Sequence, residues 1–163
     1  MPSNKSRSVR RRARLFFLFP MGFVLTLAAC EPAPRWEERD FRQDMRDFVV
    51  TISTYAKSRS PGFFVIPQNG HELATLTGAA DGDPAFDYLA SVDGQGREDL
   101  FFGYEADDAP TPASDAAAMT ALLDLEEDNG VQVLVTDYCR TPSYVDESYR
   151  LSSERGYVSF AAD

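Results

Sequence analysis

The sequence predicts a parallel α/β domain, and three observations carry that prediction. First, apolar runs of strand length alternate with amphipathic runs of helical length from residue 37 onward, in the order α-β-(α)-β-α-β-α-β. Strands separated by helices and short turns are the signature of βαβ units. Second, Pro, Gly and Asn stand where the chain must change direction, as in Pro61-Gly62, Asp83-Pro84 and Asn129-Gly130. Third, the charge divides the chain in two. Residues 1–29 hold six basic side chains and no acid; removing them leaves 10 basic and 26 acidic residues, so a net charge of −10 becomes −16 over 134 residues. The first segment is chemically foreign to the rest.

Residues 1–29 are expected to be an export leader. The basic stretch Lys5 to Arg14 is followed by 15 uncharged residues, 15–29, interrupted by Pro20 and Gly22. That is short of the roughly 20 residues a spanning helix needs, and it fits a secretory signal peptide. The end of the leader, Leu27-Ala28-Ala29-Cys30, resembles the bacterial lipobox. The resemblance implies a lipid on the Cys30 thiol, with Cys30 as the mature N-terminus and the chain anchored at the bacterial cell envelope on its periplasmic or extracellular side. Consecutive arginines also fit twin-arginine export loosely, which leaves the route open. Residues 30–36, with Pro32 and Pro34, read as a stiff tether. Residues 37–163 are the folded domain. With Cys30 lipidated, Cys139 has no disulfide partner and reads as a small buried hydrophobe.

Within the domain, Phe41, Met45, Phe48, Val49, Ile52, Tyr55 and Ala56 mark the inward face of a first helix, ended by Pro61-Gly62. Residues 63–66, Phe-Phe-Val-Ile, predict a buried strand. Residues 85–91 allow a helical turn or two, and a strand lies somewhere within 92–102. Ser114 is the expected N-cap of a helix over 116–128, with Ala118, Met119, Leu122, Leu123 and Leu125 inward. The clearest strand is 131–136. A helix over 142–155 starts beside Pro142 and stops at Gly156, and 157–160 is the last strand. In parallel folds chemistry collects where strands end. Those ends are Gln68-Asn69, Glu98-Asp99 or Gly103-Tyr104, Asp137-Tyr138 and Asp163.

Composition narrows the chemistry. An acidic domain is unsuited to a nucleic-acid backbone, so no nucleic-acid partner is expected. One His and one free Cys do not make a zinc site without several carboxylates, and neither a calcium loop, a phosphate-binding glycine loop nor a nucleophile elbow is present. No metal or cofactor is expected. Carboxylates remain, and two of them flanking a scissile bond are the equipment of glycoside hydrolysis.

Four ordered strings carry a resemblance. They are Val65-Ile66-Pro67-Gln68-Asn69-Gly70, the stretch from Val92 through Glu98-Asp99 to Gly103-Tyr104, Val133-Leu134-Val135-Thr136-Asp137-Tyr138-Cys139, and Gly156-Tyr157-Val158-Ser159-Phe160. Together with the helix that precedes them they resemble the second half of the endo-α-1,4-polygalactosaminidase family, glycoside hydrolase family 114, over about residues 38–163. The resemblance implies the last four strands of a (β/α)8 TIM barrel. It places Glu98 at a strand end as the catalytic acid/base, and Asn69, Asp137 and Tyr138 at the same rim as sugar contacts. Asp93 would be structural.

A full barrel takes about 200 residues or more, so the resemblance also implies that the nucleophile-bearing half is missing from these 134 residues. A second chain, or a second copy, completing the barrel is one expectation. A fragment without activity is another, and a half-barrel that only binds polysaccharide at the cell surface is a third. As an enzyme the chain would cleave α-1,4-linked galactosamine polymer, a cationic substrate suited to an acidic surface. As a binding or relict lipoprotein it would not turn that polymer over. Asp137 standing in for the lost nucleophile would need to lie about 5–9 Å from Glu98.

Overall fold

The computed structural model describes residue 36 and residues 39–162. The expected leader, Cys30, the tether as far as residue 35 and the strand end at Asp163 lie outside the described residues. No helix among the described residues is long and apolar enough to cross a membrane.

Helix α1 (Phe41–Arg59) is started by Asp40, whose carboxylate accepts from the N–H groups of Arg42 and Gln43. Two of the otherwise orphaned first-turn donors are thereby satisfied. A 3-10 turn (His71–Ala74) and the one-turn helix α2 (Phe86–Leu89) lead to strand β1 (Gly94–Glu98). Helix α3 (Ala113–Asp128), strand β2 (Gln132–Tyr138), helix α4 (Pro142–Ser153) and strand β3 (Val158–Ala162) complete two βαβ units. The sheet has the order β1-β2-β3 and both pairings are parallel, as the alternation of elements requires.

A fourth segment lies along the free edge of β1, but later than expected. Asp93 N–H donates to Val65 O, Gly96 N–H to Pro67 O, and Asn69 N–H to Gly96 O, with a parallel bridge between Gln68 and Gly96. Pro67 has no N–H to place between those rungs, so the ladder is interrupted. The pairing therefore runs through Val65 to Asn69 rather than 63–66, and Phe63, Phe64 and Ile66 are exposed rather than buried. A Cβ at Gly96 would come within 2.1 Å of Gln68 Oε1, so a larger residue there would have to displace the Gln68 side chain.

The remaining differences are smaller. Helix α3 begins at Ala113 with Pro112 in the N-cap position, so Ser114 is inside the helix and caps nothing. Its inward side chains are Met119, Thr120, Leu122, Leu123 and Glu126, while Ala118 is exposed. Strand β2 runs two residues further than expected, through Tyr138.

One face of the sheet is covered and the other is open. Val133 and Val135 of β2 pack with Met119 and Leu123 of α3 and with Tyr144, Val145 and Leu151 of α4, joined by Leu100, Phe101 and Phe102 from the loop after β1. Right-handed crossovers place both helices on that side. A second cluster, Ala74, Ala85, Tyr88, Leu89, Val92 and Val131 with Val49 of α1, closes the N-terminal ends of the strands. On the other face, register aligns Leu134 with Val158 and Thr136 with Phe160, and Val158 and Phe160 are 54% and 61% exposed.

Helix α1 reverses its expected orientation. Phe41, Met45, Phe48, Ile52 and Tyr55 are 42–64% exposed, whereas Arg46 and Ser53 are buried. Arg46 donates to Thr75 O at 3.0 Å, Ser53 Oγ donates to Ser91 O, and Lys57 pairs with Asp93 at 2.9 Å. Those polar anchors hold the helix to the domain while its aromatic stripe looks outward.

Candidate functional site

Glu98 is the last residue of β1, on the open face of the sheet. The strand ends on either side both reach it. Asn69, at the end of the Val65–Asn69 segment, donates through Nδ2 to Glu98 Oε2 at 3.1 Å, and its Oδ1 accepts the Glu98 N–H at 3.1 Å. Asn69 makes this double contact from a left-handed backbone conformation, φ +56°, which Asn tolerates better than most residues. From β2, Tyr138 donates its hydroxyl to Glu98 Oε1 at 3.1 Å. Three expected site residues, Asn69, Glu98 and Tyr138, are thus brought together by three neighbouring strand ends.

The hydrogen bonds set the charge. The Asn69 amide, then the Tyr138 hydroxyl, hold the Glu98 carboxyl below the usual glutamate value, while the carboxylate in turn pushes the Tyr138 phenol up. Glu98 is therefore an ionised acceptor at neutral pH, in the state of a general base or nucleophile rather than a proton donor. Its neighbour Asp99 moves the other way, raised chiefly by burial, with the charges of Glu98 and Asp137 adding. Asp99 also has a left-handed backbone, φ +58°, and its Oδ1 would lie 2.6 Å from a Cβ at Gly103. Glu98 and Asp99 are neighbours in sequence, and their carboxyl groups are shifted in opposite directions. The sequence names Asp99 only as one of the strand-end residues, without a role.

Asp137 is not at this site, and its assignment as a sugar contact or substitute nucleophile is corrected. It is fully buried on the helix-covered face, one residue out of phase with Tyr138. Its Oδ1 accepts the N–H groups of Phe101 and Phe102 at 2.9 and 3.2 Å, and Ser148 Oγ donates to its Oδ2 at 2.6 Å. Those bonds pin the loop after β1 and helix α4 to the end of β2. Asp93, expected to be structural, accepts from the Val65 N–H and pairs with Lys57. Cys139 is buried and free, its thiol pushed up by burial.

A loop acid between β1 and α3, Asp108, ties that loop to the one after β2. Its carboxylate accepts from Arg140 N–H, Thr141 N–H and the Thr141 hydroxyl at 2.7–2.9 Å. The Thr141 bonds hold its carboxyl below the usual aspartate value. Among the described residues no group of three or more His, Cys, Asp or Glu side chains is placed to hold a metal ion.

No family model matches the chain. An uncharacterized protein of Methanocaldococcus jannaschii is 30% identical over 140 residues, covering 78% of this chain and 38% of that protein. An uncharacterized protein of Deinococcus radiodurans is 27% identical over 122 residues, covering 75% of this chain and 36% of that protein. The chain spans little more than a third of the length of either relative.

Proposed function

We propose that the chain forms one side of a glycoside-hydrolase site of (β/α)8 type, acting on a cationic α-1,4-linked galactosamine polymer, with Glu98 as the reacting carboxylate on this side. The observation that carries the reading is the clamp on Glu98: a carboxylate at the C-terminal end of a parallel strand, held by donors from both flanking strand ends and turned to the open face. Glycoside hydrolysis needs one ionised and one protonated carboxyl group on opposite sides of the bond. Glu98 supplies an ionised one in the state described. A facing carboxylate, with water excluded, would raise its proton affinity and let it alternate between base and acid. Asn69 and Tyr138 act as positioning residues that fix the carboxylate and leave their remaining polar edges toward a sugar.

The lipobox-like Leu27-Ala28-Ala29-Cys30 supports placement at a bacterial envelope through lipid on Cys30. A net charge of −16 beyond the leader favours a polyamine-like sugar chain over a polyanion. A second reading, a polymer-binding lipoprotein without turnover, is favoured by one observation: Asp137, the acid nearest in sequence on the adjacent strand, is buried on the wrong face.

Purified full-length chain incubated with partially deacetylated galactosamine polymer separates the two. The hydrolase reading expects new reducing ends from wild type and at least a hundredfold fewer from Glu98→Gln. Equal release by both proteins sinks the assignment of Glu98. Retention of polymer with no new ends from either establishes the binding reading instead.

A further inference from the structure

We infer that two copies of this chain associate head to tail, the free edge of β3 in one copy pairing in parallel with the Val65–Asn69 edge of the other, to close a ring of eight strands. The inference rests on the (β/α)8 part of the hydrolase reading but not on any role for Glu98, which the cross-linking test leaves untouched.

Four observations carry it. Among the described residues the four parallel segments end in two open edges, Val65–Asn69 on one side and β3 on the other. All-parallel sheets are ordinarily covered on both faces, yet here Ile66, Val158 and Phe160 stand exposed on the face opposite the helices. A twofold rotation about an axis along the strands sets each open edge against the opposite edge of the other copy without reversing strand direction, so a second copy offers the partner that each edge lacks among the described residues. Four segments from each of two copies make eight, the number at which a parallel sheet closes on a filled interior. A twofold axis makes the two seams equivalent, so the assembly is complete at two copies.

The exposed stripe of α1 falls where such a ring would bury it. Phe41, Met45, Phe48, Ile52 and Tyr55 follow steps of four, three, four and three, one continuous seam along the helix. Because α1 precedes the Val65–Asn69 segment, ring closure lays it over the helix-side face of the other copy's β3, where Ser159 and Ala161 are small and half-exposed, and beside its α4. The charges agree. Helix α1 carries four basic and two acidic residues, whereas residues 60–163 carry 4 basic and 20 acidic ones. It is the only helix or strand among the described residues with a net positive charge, and it would meet an acidic neighbour.

Paired single-cysteine variants of the full chain test the geometry. Phe64→Cys and Phe160→Cys, each in a Cys30→Ser, Cys139→Ala background and carrying a different tag, are co-expressed and oxidised. The expected result is a cross-linked species of twice the chain mass containing both tags, with at least tenfold less cross-link when either variant is expressed alone. Light scattering in mild detergent should give two copies per particle, reduced to one by Phe48→Asp combined with Ile52→Asp. Both side chains are exposed in the single copy, so the fold should survive, which far-UV circular dichroism checks. A one-copy particle for wild type overturns the inference, as would residues 1–35 of the same chain covering the stripe. Larger open assemblies, or equal cross-linking by the single variants, overturn it too.

Discussion

Glu98 owes its charge state to two side chains that belong to other strands. If the Asn69 amide and the Tyr138 hydroxyl hold the proton off, each removal should raise the carboxyl toward the ordinary glutamate value of 4.5. Carbon-13 titration of the glutamate side chains in wild type, Asn69→Ala and Tyr138→Phe should show Glu98 lowest in wild type and higher in both variants, the larger rise belonging to Asn69→Ala. An unchanged Glu98 titration in both would mean that the clamp does not exist in solution. At this scale the sequence was legible in part. Asn69, Glu98 and Tyr138 follow from their strand ends, but Asp137 was assigned by the same rule and is wrong. The correction was available in the alternation of β2: Val133, Val135 and Asp137 share a parity, so an acid in phase with two core valines faces the helices.

Among the elements, α1 shows what hydrophobic periodicity leaves undetermined. Spacing identifies a stripe and fixes that its members share a face; it does not say what that face meets. Here the anchors to the domain are Arg46, Ser53 and Lys57, residues that composition assigns to solvent. Arg46→Ala should therefore destabilise the single copy by about 2–4 kcal/mol, because it strips the Thr75 carbonyl of its buried donor as well as removing packing. Phe48→Ala, which deletes a larger apolar group, should cost less than about 1 kcal/mol at dilute protein. Urea unfolding of the two variants checks the order, and a costlier Phe48→Ala would place the stripe inward after all. Strands β2 and β3 were readable because their apolar parity or their bounding turns are strong, whereas β1, Gly-Gln-Gly-Arg-Glu, has no apolar side chain and was placed only somewhere within 92–102. The edge segment was shifted because Pro67 acts on hydrogen bonding, which an apolar count does not register.

The stability of the whole domain carries the mark of one residue that sequence patterning also passed over. Glu126 occupies the inward slot that continues Met119, Leu122 and Leu123 around α3, and neither of its carboxyl oxygens has a hydrogen-bond partner; the Tyr88 hydroxyl and His71 Nδ1 are likewise buried and unpartnered. Burial, with the Glu72 charge adding, pushes the Glu126 carboxyl up to about 8. The folded state therefore keeps a proton that the unfolded chain releases near 4.5, so stability is fully present below 4.5 and is lost as the pH rises through about 8. His71 works in the opposite sense. Its burial holds the imidazole below 6.5, so it destabilises the fold only in acid and drops out above that value. Between pH 7 and 8 the slope thus belongs mainly to Glu126, and one proton limits it to about 1.4 kcal/mol lost per pH unit. Urea midpoints should fall steadily across that interval in wild type. In Glu126→Gln, which preserves the shape without the titration, the midpoints should stay level and exceed wild type most at pH 8. A wild-type midpoint that rises from pH 7 to 8 would show that Glu126 is ionised and partnered in the folded chain, and that α3 sits differently against the His71–Ala74 turn.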